Sequence, residues 1–201
     1  MFTLQELEQA FRLERVGSNP AIFNLEKLEW MNGQHMKLLP EEERVRRVAA
    51  FLKTRGYDLS ARPPEWGAAL VRAIGDRMKT LADAEGYGVF ALRDALEVDP
   101  EAWSGLREKP EVGPRLAELG RRLAADPEFS LPSLERETRE LARELGIKAG
   151  ELMAATRVAL TGRTVAPGLF EVMLLLGRER TVARLRAAAE RWAEESPHAR
   201  L

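Results

Sequence analysis

An arginine and an open helix start lie close together in the segment Gly146–Arg180, which reads GIKAGELMAATRVALTGRTVAPGLFEVMLLLGRER. One predicted helix ends at Gly162, the next begins at Pro167, and Arg157 stands roughly one turn before the first of them ends. The first N–H groups of a helix lack intrahelical partners and carry partial positive charge. A guanidinium beside such a terminus suits phosphates and unstacked RNA bases. A tight helix–loop–helix corner without a ligand fits the same composition equally well.

A second segment, Asn19–Met36, concentrates aromatic and amide side chains and reads NPAIFNLEKLEWMNGQHM. It predicts a loop that delivers Phe23 into a pocket, then a helix that ends in an Asn-Gly cap. The apolar face of that helix is expected to carry Leu25, Leu28, Met31 and His35. Periodicity alone favours a simpler interpretation, a helical hairpin that packs an aromatic cluster.

Residue types needed for catalysis are scarce. The chain has no cysteine, which excludes disulfides, thiolate nucleophiles and thiolate zinc sites, and its two histidines, His35 and His198, are too few for a His-based metal site. It contains no Gly-rich phosphate loop, no HExxH motif and no GxSxG motif. We therefore expect a binding module without a catalytic or metal site of its own.

Charge is balanced overall but uneven along the chain. The 201 residues are 45% hydrophobic and 31% charged with a net charge of −1, which excludes a globally basic nucleic-acid binder. From residue 139 to the end, however, eleven Lys and Arg stand against eight Glu, a local excess of three positive charges. No apolar run reaches the ~18 residues needed to span a bilayer, and the first residues lack a signal-peptide pattern. A cytoplasmic protein with a locally basic face is the expectation.

Nearly every segment has apolar residues at helical spacing, and runs that alternate like a strand are absent. Thr3 and Glu6 form a capping box, Asn24 can cap a helix, and Pro40 precedes three glutamates that favour a helix start. Besides the helices after Asn24 and Pro40, we predict helices over about 4–11, 65–84, 89–96, 114–125, 133–145, 149–160, 168–176 and 178–194. Residues 98–113 are richest in helix breakers and mark the expected domain boundary. The predicted fold is all-α.

Three motifs resemble bacterial-type glutamyl-tRNA synthetase. The segment at 19–36 is similar to the family's PAVFDxxKLxWxNGxYI stretch, which follows its catalytic KMSKR loop. The segment at 146–180 is similar to the GxxxGxxxxPLRxALTGxxxxPGLFEVxxLLGKER signature, and RMKTL at 77–81 resembles RxxTL of the first anticodon-binding domain. The resemblance covers essentially the whole chain and implies the C-terminal, tRNA-binding part of such an enzyme. It implies two consecutive helical-bundle domains that form a cage around the anticodon: residues 1–98, with the end of the stem-contact region, and residues 99–201.

The resemblance also implies roles for individual residues. Arg77 matches the arginine that reads the third anticodon base in glutamate-specific members, and Arg157 matches a second base reader. The loop and helix start that pack against the splayed anticodon bases would be Ala166, Pro167, Gly168 and Leu169, and the stem-side contacts would be Lys27, Trp30 and Asn32.

Two departures from the family pattern bear on these roles. Ala154, Ala155 and Thr156 stand where the family usually has Pro-Leu just before the arginine, so a rigid kink is lost and the aim of Arg157 stays open. His35 replaces a usual tyrosine, which leaves the stem-side contact open.

The family's HIGH motif and KMSKR loop do not occur in this sequence. The resemblance thus implies a segment that is inactive alone and has no cofactor of its own, with ATP and Mg²⁺ used by the full-length synthetase. The implied partners are tRNA(Glu) and the catalytic nucleotide-binding domain of the same enzyme, with no membrane and no metal. Two alternatives stay open: a free-standing paralogue that acts as a tRNA- or protein-binding adaptor, favoured by the lost Pro-Leu pair, and a plain helical structural domain.

Overall fold

The computed structural model describes residues 2–17 and 22–198, and over these ranges the regular structure is entirely helical. Three short 3₁₀ helices, Leu13–Arg15, Leu59–Ala61 and Gly75–Arg77, accompany the α-helices. The α-helices are α1 (Leu4–Ala10), α2 (Leu25–Leu38), α3 (Glu41–Thr54), α4 (Trp66–Ile74), α5 (Ala82–Leu92), α6 (Pro100–Arg107), α7 (Val112–Ala125), α8 (Leu131–Glu144), α9 (Ala149–Thr161) and α10 (Leu169–Glu195). The predicted all-α fold is confirmed. The predicted loop residues Asn19, Pro20 and Ala21 lie outside the described ranges.

Polar caps begin the helices where the sequence predicts them. The Thr3 hydroxyl accepts from the Glu6 N–H while the Glu6 carboxylate accepts from the Thr3 N–H, so the capping box is formed. The Asn24 side chain accepts from the Lys27 N–H at 2.9 Å. Pro40 directly precedes α3. These starts are confirmed because each depends on side chains within one turn.

The predicted long helix over 65–84 is wrong. Helix α4 ends at Ile74 because Gly75 has φ 54° and ψ −131°, a conformation that residues with a side chain rarely adopt, and α5 begins only at Ala82. The predicted break at Gly86 and Gly88 is also wrong, since both lie inside α5. A Cβ at residue 88 would lie 3.0 Å from a Leu70 methyl carbon. The glycine therefore serves close packing of α4 on α5.

Helix α2 also differs from the prediction. It continues through Asn32 and Gly33 to Leu38, so the Asn-Gly pair is not a cap. A Cβ at Gly33 would lie 3.2 Å from the Lys79 Cα, and the Asn32 amide donates to the Lys79 carbonyl oxygen. The pair thus lets α2 approach the segment between α4 and α5.

The predicted apolar face of α2 is not buried in this chain. Leu25, Leu28, Met31 and His35 are all exposed, and the buried α2 residues are Gly33 and Met36. Phe23, predicted to enter a pocket, has 76% of its surface exposed. Helical spacing predicts which residues share this face, but no described residue covers it.

One hydrophobic core runs from Met36 on α2 through α3 to α10, and α10 is its centre. Helix α10 bends at Gly177 (φ 77°, ψ 167°), where the sequence predicts the end of one helix and the start of another. It packs along α7, where a Cβ at Gly113 would lie 2.5 Å from the Trp192 ring. The Trp66 indole N–H on α4 donates to the Leu175 carbonyl at 3.0 Å, so α10 also contacts the first half of the chain. The division at residue 98 remains a prediction.

Thr156 on α9 is fully buried, and its hydroxyl has no hydrogen-bond partner among the described residues. Thr156→Val keeps the shape and removes this unsatisfied group, so we expect the free energy of unfolding to rise by about 1 kcal/mol, measured by urea denaturation. Thr138→Val is the matched control, because the equally buried Thr138 hydroxyl donates to the Leu134 carbonyl at 2.8 Å. If both variants lost stability equally, the Thr156 hydroxyl would be satisfied in solution.

Candidate nucleic-acid interface

The corner between α9 and α10 is held in a fixed shape by its own loop. Gly162 ends α9 with φ 71°, and a Cβ there would collide with the Glu97 carbonyl oxygen. The Gly162 carbonyl accepts from the Asp99 N–H at 2.9 Å. The buried Thr161 hydroxyl donates to the Arg157 carbonyl at 2.8 Å. The loop is therefore closed by backbone contacts with the segment that precedes α6.

Arg157 is half-buried on the last turns of α9, and its guanidinium makes no ion pair or hydrogen bond to any residue in the described ranges. Two other half-buried arginines are paired, Arg115 with Glu151 and Glu111 and Arg122 with Glu118 and Glu144, whereas Arg44 and Arg107 resemble Arg157 in forming no ion pair within the described ranges. A cation that has lost part of its hydration without gaining a carboxylate is available to an anionic or hydrogen-bonding ligand. The helix runs unbroken through Ala154, Ala155 and Thr156, so the side chain leaves a regular α9.

The four residues that the family resemblance assigns to the anticodon-contacting loop lie mostly inside the protein rather than on its surface. Ala166, Pro167 and Leu169 are buried, and Gly168 is half-buried. The Glu171 side chain folds back over Gly168, where a Cβ would collide with the carboxylate. The start of α10 therefore already faces a negative charge, which disfavours a phosphate there. The exposed part of the loop is Arg163, Thr164 and Val165.

Arg77 ends the 3₁₀ helix between α4 and α5 and is exposed, with no side-chain partner among the described residues. The nearby acids have other partners: Asp76 pairs with Lys37 at 2.8 Å, and Glu85 pairs with Arg55 at 2.8 Å. The ion pair with Lys37 lowers the pKa of Asp76, so this acid stays charged near neutral pH. Arg77 is thus a free cation on a segment that other contacts hold in place.

The three stem-side residues divide into two kinds. Lys27 and Trp30 are exposed on α2, and Lys27 has no ion pair within the described ranges. The Asn32 side-chain amide donates a hydrogen bond to the carbonyl oxygen of Lys79, two residues after Arg77. We find that Asn32 positions α2 beside the Arg77 segment, and that no hydrogen bond or ion pair joins the Arg77 segment directly to Arg157.

A pocket of 280 Å³ lies between α5 and the α9–α10 loop, and sequence reasoning missed it. Its walls include Tyr87 and Phe90 on α5, Asp99 before α6, and Arg163 on the loop. Arg163 donates to the Gly86 carbonyl at 3.1 Å, which links the loop to α5. The Asp-Pro pair at Asp99 predicts the N-terminus of α6, because a capping Asp followed by Pro is typical of a helix start, but it does not predict the pocket.

No helix in the described ranges is both long and apolar enough to cross a bilayer. Within the same ranges, His, Asp and Glu side chains nowhere gather in threes that could hold a metal ion.

Comparison with known proteins supplies the family context. The family described as "Anticodon binding domain" matches residues 29–189. A glutamate–tRNA ligase from Thermodesulfovibrio yellowstonii is 36% identical over 191 residues, which is 92% of this chain and 40% of that protein. The Moorella thermoacetica glutamate–tRNA ligase is 35% identical over 196 residues, 96% of this chain and 40% of the ligase. The crystal structure of a glutamate tRNA ligase from Elizabethkingia meningosepticum superposes with a TM-score of 0.80 at 23% identity, over 94% of this chain and 37% of that one. The chain thus spans about 40% of the length of the curated relatives it matches.

Proposed function

The chain belongs to the anticodon binding domain family, and we propose on that basis that it holds the anticodon arm of tRNA(Glu) for a glutamate–tRNA ligase. The relatives that align along 92–96% of it carry that activity in their names. In the proposal, this segment binds tRNA while a catalytic domain charges the 3′ end. That division places ATP and Mg²⁺ on the catalytic domain, since this chain offers no phosphate loop for them.

The observation that carries the proposal is the state of two arginines. Arg157 is half-buried and Arg77 is exposed, and neither has an acidic partner among the described residues. Several other arginines there, such as Arg44 and Arg107, also form no ion pair, so it is the position of these two within the family motifs that singles them out. RNA loops offer unstacked bases whose edges accept such donors, with a phosphate backbone alongside. We assign base recognition to both guanidiniums, Arg77 for the third anticodon base.

The surroundings of the α10 start refine this assignment. Because Glu171 lies over Gly168, this helix start suits the apolar face of a base better than a phosphate. Ala166, Pro167, Gly168 and Leu169 then hold the loop rigid from inside, and the splayed bases would pack against its exposed residues Arg163, Thr164 and Val165. Lys27 and Trp30 are exposed on α2 and can contact the tRNA stem. Asn32 positions α2 through its hydrogen bond to the Lys79 carbonyl.

The N-terminal part of the chain supports a catalytic domain as the second partner. Its large apolar side chains are exposed along α1 and the first turns of α2. Exposed large apolar side chains in this number are typical of an interface. We propose that the nucleotide-binding domain of the same enzyme covers it, in the cytoplasm where translation takes place. The residues concerned include Phe2, Leu4, Leu7, Phe11, Leu13, Val16, Ile22, Phe23, Leu25 and Leu28.

Binding of tRNA(Glu) by this chain should weaken steeply with salt. Each phosphate neutralised by Lys or Arg releases counterions, so a few such contacts should reduce affinity by at least about tenfold between roughly 50 and 200 mM salt. Fluorescence anisotropy of a labelled tRNA(Glu) at several salt concentrations measures the slope. An affinity that did not change with salt would contradict tRNA binding and favour the adaptor that binds protein.

A further inference from the structure

The pocket between α5 and the α9–α10 loop is the strongest unassigned feature of the molecule. At 280 Å³ it has room for several water molecules or for one planar heterocycle. Two apolar groups line it: Val89 and Phe90 on α5, and Val165 and Ala166 on the loop. Walls of this kind suit the faces of a flat ring.

Several polar groups around the pocket have unused hydrogen-bonding capacity. One Asp99 carboxylate oxygen accepts from the N–H groups of Glu101 and Ala102, at 2.8 and 3.1 Å, and the other accepts from no described residue. The hydroxyls of Tyr87 and Thr164 likewise make no hydrogen bond within the described ranges. One guanidinium nitrogen of Arg163 donates to the Gly86 carbonyl, and its other N–H groups donate to no described residue.

We propose that this pocket takes one unstacked base of the tRNA anticodon loop that bears an exocyclic amino group, with the free Asp99 oxygen as its acceptor. The inference rests on the proposed function and adds a base site to those of Arg77 and Arg157. A carboxylate accepts from the amino group of cytosine but is repelled by the carbonyl oxygen that uracil has in its place. The half-buried Tyr87 supplies aromatic surface for the ring, and Arg163 places a positive charge on the wall of the same pocket.

Gly86→Leu tests whether the pocket must be open. Gly86 lies on α5 and lines the pocket, and a Cβ there would meet no atom within 4 Å, so a leucine fills the space without straining the helix. We expect binding of the tRNA(Glu) anticodon stem–loop to weaken by about tenfold, because that is the contribution of one stacked base, with no loss of thermal stability. The control is Gly150→Leu, a helical glycine on α9 with equally open surroundings away from the pocket, which should bind like the wild type.

Asp99→Asn tests the acceptor. Asparagine caps α6 as well as aspartate does, but it offers an amide N–H₂ in place of the free oxygen. The probe is a set of stem–loops in which each loop nucleotide is changed in turn between cytosine and uracil. We expect the wild-type preference for cytosine to fall by about tenfold at a single position and to stay unchanged elsewhere.

The outcomes separate this inference from the proposed function. Weaker binding by Gly86→Leu together with a lost preference at one position in Asp99→Asn supports the pocket. If the wild type binds the stem–loop but Gly86→Leu binds as tightly as Gly150→Leu, or no cytosine preference changes in Asp99→Asn, the pocket assignment is overturned while the proposed function stands. If the wild type does not bind the stem–loop at all, both are overturned.

Discussion

Arg184→Met should lower the free energy of unfolding by about 3 kcal/mol, because it breaks charge-assisted hydrogen bonds that hold two helix ends together. The Arg184 guanidinium on α10 donates to the Leu160 carbonyl at 2.7 Å and to the Phe90 carbonyl at 2.8 Å. These oxygens lie in the last turns of α9 and α5, where no intrahelical N–H remains to bind them. Methionine fills similar space but leaves both carbonyls buried and unsatisfied.

Burial of the Arg184 charge offsets part of the stabilisation that these hydrogen bonds provide. It lowers the pKa of Arg184 to about 10, so the guanidinium stays charged at neutral pH but at a cost in hydration. Such penalties offset the bonds that a buried ion makes when it has good partners, yet removal of one partner from an assembled group is usually destabilising. We therefore expect the bonds to prevail, with the melting temperature falling by roughly 10 °C for a chain of this size.

The matched control is Arg186→Met, since Arg186 is exposed on the same helix and makes no ion pair in the described part of the chain. Chemical denaturation of both variants measures the difference. If Arg184→Met were as stable as Arg186→Met, the cost of burial would cancel the hydrogen bonds. Because Arg184 joins the ends of α5 and α9, its loss should also weaken RNA binding at the pocket between them.

Features decided within one turn of the chain were predictable. The capping box at Thr3 and the cap at Asn24 depend on neighbours three residues away, and both are formed. The corner after Arg157 and the break at Gly177 were read from glycine and proline, which restrict the backbone locally. Local rules therefore fixed most helix ends in the second half of the chain.

Features decided by contacts distant in sequence were not predictable. Gly86 and Gly88 read as breakers, yet Gly88 is a packing position against Leu70, which periodicity does not reveal. Helical spacing predicts an apolar face on α2, but burial depends on what lies opposite it, and in the described structure this face is exposed. The helix Pro100–Arg107 lies within the segment predicted as a boundary, because Pro100 reads as a helix breaker there, although Pro at the first turn favours a helix.

The candidate site follows the same division. Arg77 and Arg157 were named from motifs, and the structure adds that neither has an acidic partner among the described residues. The pocket that joins Tyr87, Asp99 and Arg163 brings three separate stretches together, and no local pattern links them. A pocket of this kind is a product of tertiary structure and emerges only from coordinates.

Arg77→Gln should relax discrimination between glutamate and glutamine anticodons by about tenfold or more. An arginine that donates two hydrogen bonds to a base edge contributes roughly 1–3 kcal/mol of discrimination, and ~1.4 kcal/mol is one decade in the dissociation constant. Arg77 is free to make such contacts because Asp76 and Glu85 are paired with Lys37 and Arg55. Since the Arg77 side chain has no partner in the described part of the chain, its removal should leave the melting temperature unchanged within about 2 °C.

The measurement is the ratio of dissociation constants for tRNA(Glu) and tRNA(Gln), alongside a thermal melt of each variant. Arg72→Gln is the control, an exposed arginine on the preceding helix with only a distant contact to Glu41 at 3.9 Å, and its ratio should match the wild type. Arg157→Ala should lower the affinity for both tRNAs to a similar extent, because the half-buried guanidinium lies beside the α9–α10 loop, which would contact either anticodon. A ratio that Arg77→Gln left unchanged would remove Arg77 from the site. Lost stability with an unchanged ratio would instead make Arg77 a structural residue.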